Sequence, residues 1–493
     1  MKNILKITGV AAGLLLSVGC SEDFLEKEPS QFLTAGQIAE AAEVNPDVVA
    51  GTMTGIYALT IETGTGGTTN HDDFGHKGYD IYGDMLSGDL ALSVSTYGWY
   101  RSDITEFQAL QDFTSTRNYM PWRYYYRIIR SANTVIDALG GNDAEPELEE
   151  NKYILGQAKA MRAHSYFYLA QYFQKSYNPS EEILPIYDDL EDQNGPKVPA
   201  SEIYGLIDRD LESAISLLDG FERSGKNQIN KEVAQGIKAY VEGAKGNWQA
   251  VFDLTEAAIT NGGFSIMTSD EVLGGFDDLN TPGWMWGIDL TIDNDLGLVS
   301  WWGQMDYYTY SYAWAGDAKA IDAGLYAEIP EDDVRKAQFA APAGAYTDLM
   351  PINKFYDEAR VIGGQSPVTT DYVYMRVAEM YLLHAEAAAN LGNEATAIST
   401  LKTLLDQRID DSSYVDGLSG QALLDEIYLQ TRIELWGEGK SYLALKRNEE
   451  TVVRGANHLS FVGEPIPYND ERLTFEIPES EIQNNPAINS QND

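Results

Sequence analysis

The chain of 493 residues carries 76 acidic side chains against 34 basic ones, a formal charge of −42. That excess repels phosphate backbones and anionic lipid headgroups, so it excludes nucleic acid as a partner. Beyond the N-terminus no stretch approaches the roughly 18 apolar residues of a membrane span, and with one cysteine in the chain, Cys20, stability must come from a large core rather than disulfides.

Lys2 and Lys6 precede an uncharged, largely apolar run from Ile7 to Val18, then Gly19 and Cys20. This pattern predicts a lipoprotein signal peptide over residues 1–19, cut before Cys20, which is then lipid-modified. Ser17 stands where such signals usually carry Leu, with Leu16 one position earlier. The lipid is the one anchor expected, and each buried methylene contributes about 0.8 kcal/mol.

Residues 60–100 are rich in Gly, Thr and Asp and read, like 262–370, as long loops and a few short strands laid over a helical scaffold, with YGWYRSD supplying Tyr97, Trp99 and Tyr100. RYYYRIIR, Arg123 to Arg130, interleaves bases with aromatics, but at helical period Arg123, Arg127 and Arg130 fall on one face and Trp122, Tyr126, Ile129 and Asn133 on another. It predicts an amphipathic helix, not a nucleic-acid site. Ile154, Ala158, Met161, Ser165, Leu169 and Tyr172 recur at helical spacing, as do Ile203, Ile207, Leu211, Ala214 and Leu218. A third helix pair is expected at 231–244 and 248–260, turning at Lys245-Gly246-Asn247, and a fourth over 371–408, turning at Gly392-Asn393.

The fourth pair looks like a tetratricopeptide repeat, with Tyr381, Ala385, Gly392, Ala397 and Leu401 at its bulky, small, turn, small and bulky positions. Ala239, Gly246, Trp248 and Ala258 match similarly, although Val251 stands where a small residue is expected.

Between these pairs, residues 262–370 are rich in Gly and aromatics with little helical period. No Lys or Arg occurs from Gly246 through Ala318, so a ligand there is expected to be neutral or cationic. Trp284, Trp286, Trp301, Trp302 and Trp314 fall close together with Tyr307, Tyr308, Tyr310 and Tyr312. An extended segment would put Tyr308, Tyr310, Tyr312 and Trp314 on one face, and the adjacent pair Trp301-Trp302 would point both ways. Sugar rings stack their C–H faces on aromatics while Asp, Asn and Arg bond the hydroxyls, so this is a candidate glycan surface.

Catalytic motifs are missing: no H-E-x-x-H, G-x-S-x-G or G-x-G-x-x-G occurs. A glycosidase needs two carboxylates about 5 to 9 Å apart, and among 76 acids suggestive spacings arise by chance. Gly439-Lys440-Ser441 lacks the upstream glycine of a phosphate loop. His71-Asp72-Asp73, and Asp293-Asn294-Asp295 followed by Gly297, leave a structural calcium open, with Asp293 and Asp295 as candidate ligands, though the second lacks the terminal bidentate Glu. No other cofactor is expected.

Six segments in order resemble the SusD/RagB family of outer-membrane glycan-binding lipoproteins: CSEDFLEKEPSQFLT, WRYYYRIIRSANTVI, AKAMRAHSYFYLAQYF, YMRVAEMYLLHAEAAANLG, TRIELWGEGKSYLALKR and FEIPESEIQNNPAINSQN. Lys440 departs from the Arg that usually follows Glu-Gly, with packing as the expected effect. The resemblance implies a mainly α SusD-like fold: a single domain over 20–493, tetratricopeptide-like elements at about 152–260 and 371–447, and ligand loops at about 60–105 and 262–370. It implies a non-catalytic protein anchored through Cys20 on the exterior of the outer membrane, where Ser21, Glu22 and Asp23 resemble a surface-export signal. It also implies capture of oligosaccharide for a SusC-like TonB-dependent transporter. Candidate ligand residues in those loops are Asp73, Asp89, Tyr97, Trp99, Tyr100, Trp284, Trp286, Trp301, Trp302, Tyr308 and Trp314, with Trp99, Trp301 and Trp302 expected to lie exposed. Because some family members take up peptides, a peptide- or protein-binding lipoprotein is the alternative.

Overall fold

A computed structural model describes residues 35–42, 45–344 and 346–492, so the signal peptide and Cys20 lie outside the described residues. The first half is built from α1 (Ala35–Ala42), α2 (Pro46–Ala58), α3 (His76–Leu86), α4 (Thr116–Ala138), α5 (Glu149–Phe173), α6 (Ala200–Leu217), α7 (Lys231–Ala244) and α8 (Trp248–Asn261). The second half adds α9 (Val377–Asn390), α10 (Glu394–Leu405), α11 (Gln421–Glu434) and α12 (Ser441–Arg447), with four two-stranded antiparallel pairs and single helical turns between. The mainly α expectation matches this architecture. Among the described residues no helix is long and apolar enough to cross a membrane.

The side-chain pattern of α4 is the expected one. Ser115 caps its start by accepting from the Arg117 amide, Trp122 and Ile129 are buried, and Arg123, Arg127 and Arg130 are exposed. α5 departs from a one-sided pattern and is buried nearly all round from Ile154 to Phe173. Its buried Arg162 forks onto Asp210 of α6 at 2.7 Å and donates to Asn133 Oδ1 of α4 at 2.9 Å, fixing three helices with one paired charge.

α7–α8 and α9–α10 form the predicted hairpins. Gly246 and Gly392 sit at φ +73° and +76° with open space around them, so backbone conformation rather than crowding calls for glycine there. Ala385 and Ala397 are fully buried in a satellite core with Leu401, Leu404 and Leu423, while the main core runs from Ile38 to Ile488. Val251 is fully buried in the main core despite its size.

Two expectations are corrected. Residues 371–376 do not begin the fourth helix: β6 (Tyr372–Arg376) pairs antiparallel with β4 (Trp284–Ile288), and α9 starts at Val377. Tyr372, Val373 and Tyr374, of types favoured in strands, and Met375 suit a strand buried on both faces. Nor is 60–105 loop throughout, because α3 lies within it with every residue buried.

The segment from Arg432 to Gly439 ties these parts together. Glu434 accepts from Arg376 at 3.0 Å, Arg408 at 2.8 Å and Arg335 at 3.3 Å, and Glu438 pairs with Arg376 at 2.7 Å and Lys354 at 2.9 Å. Arg432 forks onto Asp89, and Gly439, at φ +76°, packs so closely on α3 that a Cβ would lie 2.2 Å from Asp80 Oδ1. Charges this deeply buried persist only when paired. Lys440 is itself buried, 3.9 Å from Glu379, in keeping with the packing role expected of it.

Candidate functional site

The loop at 93–100 and the turn at 307–316 lie far apart in sequence and meet because β1 (Leu90–Leu92) pairs with β5 (Lys319–Ile321) just beyond them. Buried Asp317 locks the junction by accepting from the amides of Thr96 and, at 2.9 Å, Tyr97. Gly316, at φ +113°, lies against Thr96, where a Cβ would fall 2.5 Å from its hydroxyl. Tyr97 and Trp99 thereby stand beside Tyr312, with ring centres 5.3 and 5.9 Å away.

Tyr308 to Trp314 is not extended, contrary to expectation. Ser311 caps a helical turn, Tyr312–Ala315, by accepting from the Trp314 amide at 3.0 Å. Tyr310 and Trp314, four residues apart, therefore meet at 5.6 Å, while Tyr312 turns to the other side against Tyr97 and Trp99. His71 stacks flat on Trp99 at 5.2 Å, and its Nδ1 is 2.6 Å from the Tyr312 hydroxyl. The Arg117 guanidinium lies 5.9 Å from the Trp99 ring centre and pairs with Asp72 and Asp103.

The result is an aromatic surface on which Tyr97, Tyr310 and Trp314 are 58, 46 and 41 % exposed. Trp99 is half-buried and has His71 on one face. The loop at 361–364 borders it: Gly363 and Gly364 donate to the Tyr307 and Tyr308 carbonyls at 3.2 and 2.8 Å, and a Cβ on Gly363 would fall 2.9 Å from the Trp314 ring. Val361 and Ile362 project from this loop to solvent. Asp306 joins loop and turn, accepting from the Tyr308 amide, the Thr309 hydroxyl and the Asp357 amide at 2.8–3.0 Å. Burial nevertheless pushes its carboxyl up to about 6.

Other residues singled out in the sequence lie elsewhere. Trp284 and Trp286 are buried in β4, Trp286 against Tyr374 and His164. The exposed position expected for Trp301 and Trp302 is corrected: both are at least 97 % buried. They open a helical turn rather than a strand, so successive side chains are about 100° apart and both rings reach the core. The Trp301 amide donates to the Tyr372 hydroxyl at 3.0 Å and Trp302 Nε1 to the Asp371 carbonyl at 3.3 Å. Tyr100 and Tyr308 are also buried. Asp73 accepts from Gly66 and Thr68, and Asp89 is held by Arg432, so both act as loop anchors.

For a cation, His71-Asp72-Asp73 is already committed to Trp99 and Tyr312, to Arg117 and Tyr82, and to Gly66 and Thr68. Asp293 and Asp295 are exposed on a short turn closed by Asn294 and Thr291. Among the described residues no group of three or more His, Cys, Asp or Glu is placed to hold a metal ion. Sequence reasoning missed Val361, Ile362 and Asp306, which carry no local signature, and it considered His71 only as a possible cation ligand, not for the stacking role it has.

The family described as SusD matches residues 337–493, and that described as starch-binding, associating with outer membrane, matches 81–239. Two SusD-like proteins of Formosa agariphila are 20 % identical over 488 residues, 88 % of each chain, and 24 % identical over 392 residues, 69 % of this chain and 74 % of the relative. A SusD-like carbohydrate binding protein of Bacteroides vulgatus superposes with a TM-score of 0.75 at 25 % identity, covering 90 % of this chain and 97 % of its own. A SusD superfamily protein of Bacteroides thetaiotaomicron does so at 0.76 and 23 %, covering 91 and 100 %. With a SusD match at each half of the chain and this fold throughout, the chain belongs to the SusD/RagB family.

Proposed function

We infer that the protein binds oligosaccharide or polysaccharide at the cell surface, on the aromatic surface of Tyr97, Trp99, Tyr310, Tyr312 and Trp314, and delivers it to a SusC-like TonB-dependent transporter without altering it. The observation that carries this reading is the patch of exposed Tyr97, Tyr310 and Trp314 rings on backbone locked by Asp306 and Asp317. Exposed rings on a rigid support suit the C–H faces of sugars, and the neighbouring loop amides and hydroxyls suit sugar OH groups. Both buried carboxylates accept from backbone amides, which supports a binding role over an acid–base one. The resemblance of residues 1–23 to a lipoprotein start supports an anchor at Cys20 in the outer membrane, facing outward.

The test is an array of neutral and acidic glycans and cationic peptides probed with the purified full-length chain, its Trp314→Ala variant and its Tyr97→Ala variant. Glycan signals lost in both variants support the reading. Peptide signals alone would assign the acid excess to a peptide-uptake role and sink it.

A further inference from the structure

The arginine face of α4 lies outside the aromatic surface. Arg123, Arg127 and Arg130 are exposed and share one side of the helix at i, i+4 and i+7, spread over about 10 Å. They rim an open groove of about 560 Å³. Trp122, Tyr126 and Tyr187 line it, with ring centres 5.0 and 5.5 Å apart in sequence order. Asp189, Asp192 and Glu481 form the facing rim.

The two rims differ in how they are satisfied. In a chain with more than twice as many acids as bases, none of the three arginines has an ion-pair partner among the described residues, and Arg123 reaches only the Tyr119 hydroxyl, at 3.3 Å. The facing carboxylates, by contrast, already take donors from their own segments. Asp192 accepts from the Asp188 and Asp189 amides at 2.8 and 3.0 Å, Asp189 from the Glu191 amide at 2.8 Å, and Glu481 from the Asn485 side chain at 2.9 Å. At physiological salt the charge of the rest of the protein is screened beyond about 8 Å, so a ligand entering the groove meets the arginine row on one side and the three carboxylates on the other.

We propose that the groove binds an acidic oligosaccharide, one bearing uronate carboxylates or sulfate esters at repeated positions. Guanidinium forks pair with such anions in bidentate fashion, and a row of three calls for an occupant with repeated charges rather than a single anion. The hydroxyls of the same glycan donate to the carboxylate rim, which still has free lone pairs, and its ring faces meet Tyr126 and Tyr187. An acidic peptide carries repeated carboxylates too, but it lacks the sugar hydroxyls that can donate to Asp189, Asp192 and Glu481 and the ring faces that can stack on Tyr126 and Tyr187. The groove runs along α4 away from Trp99: Arg117, near the start of the helix, lies by Trp99, and Arg123 to Arg130 follow about 9 to 20 Å further along it.

Isothermal titration of the full-length chain tests this with an oligogalacturonate, a sulfated oligogalactan, a maltooligosaccharide of equal length and a polyglutamate peptide. At least one acidic sugar should bind, more weakly as salt rises, and the sugar that binds identifies the anion. The double variant Arg127→Ala/Arg130→Ala should lose about tenfold or more in affinity for it without a change in melting temperature, since both side chains are exposed. Trp314→Ala should leave this binding intact, which separates failure here from failure of the aromatic surface. The proposal is overturned if neither acidic sugar binds, if the double variant binds as well as the parent, or if polyglutamate binds as tightly as the sugars.

Discussion

His71 lies parallel to the indole of Trp99, ring centres 5.2 Å apart and planes within 5°, and its Nδ1 meets the Tyr312 hydroxyl at 2.6 Å. One residue thus sets both the tilt of Trp99 and the rotamer of Tyr312. His71→Ala should cost about 1 to 2 kcal/mol of stability, the sum of a ring pair and one hydrogen bond, and should weaken glycan binding more than it lowers the melting temperature. His71→Phe keeps the stack and should recover most of the affinity. If His71→Ala binds glycan like the parent, His71 does not position these rings.

Trp314 and Trp301 should behave in opposite ways, because one is 41 % exposed and the other 3 %. Trp314→Ala should reduce glycan affinity roughly thirtyfold, the effect of removing a contact worth about 2 kcal/mol, with a small change in melting temperature. Trp301→Ala should cost about 3 to 5 kcal/mol of stability. Melting curves and titrations on the two variants decide, and a marked stability loss for Trp314→Ala would place that ring in the core.

Glu434 holds three arginines at once. Glu434→Gln leaves Arg408, Arg376 and Arg335 buried with less countercharge, so a loss of about 3 to 5 kcal/mol is expected, the usual result of breaking a buried pair from one side. Urea unfolding measures it, and a loss below about 1 kcal/mol would mean that Glu438 and Asp333 carry the network without it.

Burial is the largest influence on the Asp84 carboxyl and pushes it up from 3.8 to about 8. From pH 4 to 8 the folded state therefore keeps a proton that the unfolded chain has released, so this group's contribution is full below pH 4 and is lost as pH rises through 8. Asp84→Asn cannot ionise and keeps an oxygen to accept from the Gly439 amide, which Asp84 Oδ2 meets at 2.9 Å. Its melting temperature should fall less than the parent's between pH 4 and 9. Parallel curves would show that Asp84 is already charged at neutral pH.

Much of the helical scaffold was legible from local pattern, although α3, buried on every side, carried no such period. Period 3.6 marks α4, α6 to α8 and α9 to α10, Gly246 and Gly392 mark the turns of the two hairpins, and the arginine face of α4 is solvent-facing as the spacing requires. These features depend on neighbours three or four residues away, which the sequence displays directly. Burial of the aromatics depends on partners far along the chain. Trp301 is covered by Tyr372, 71 residues on, and residues 372–376 form a strand because 284–288 lie alongside. Tyr97 stands beside Tyr312 because its amide reaches Asp317, 220 residues away. Trp301, Trp302 and Trp314 share one aromatic, weakly periodic stretch, and nothing local separates them. Long-range strand pairing and capping of one turn decided which two rings fill the core and which one faces solvent.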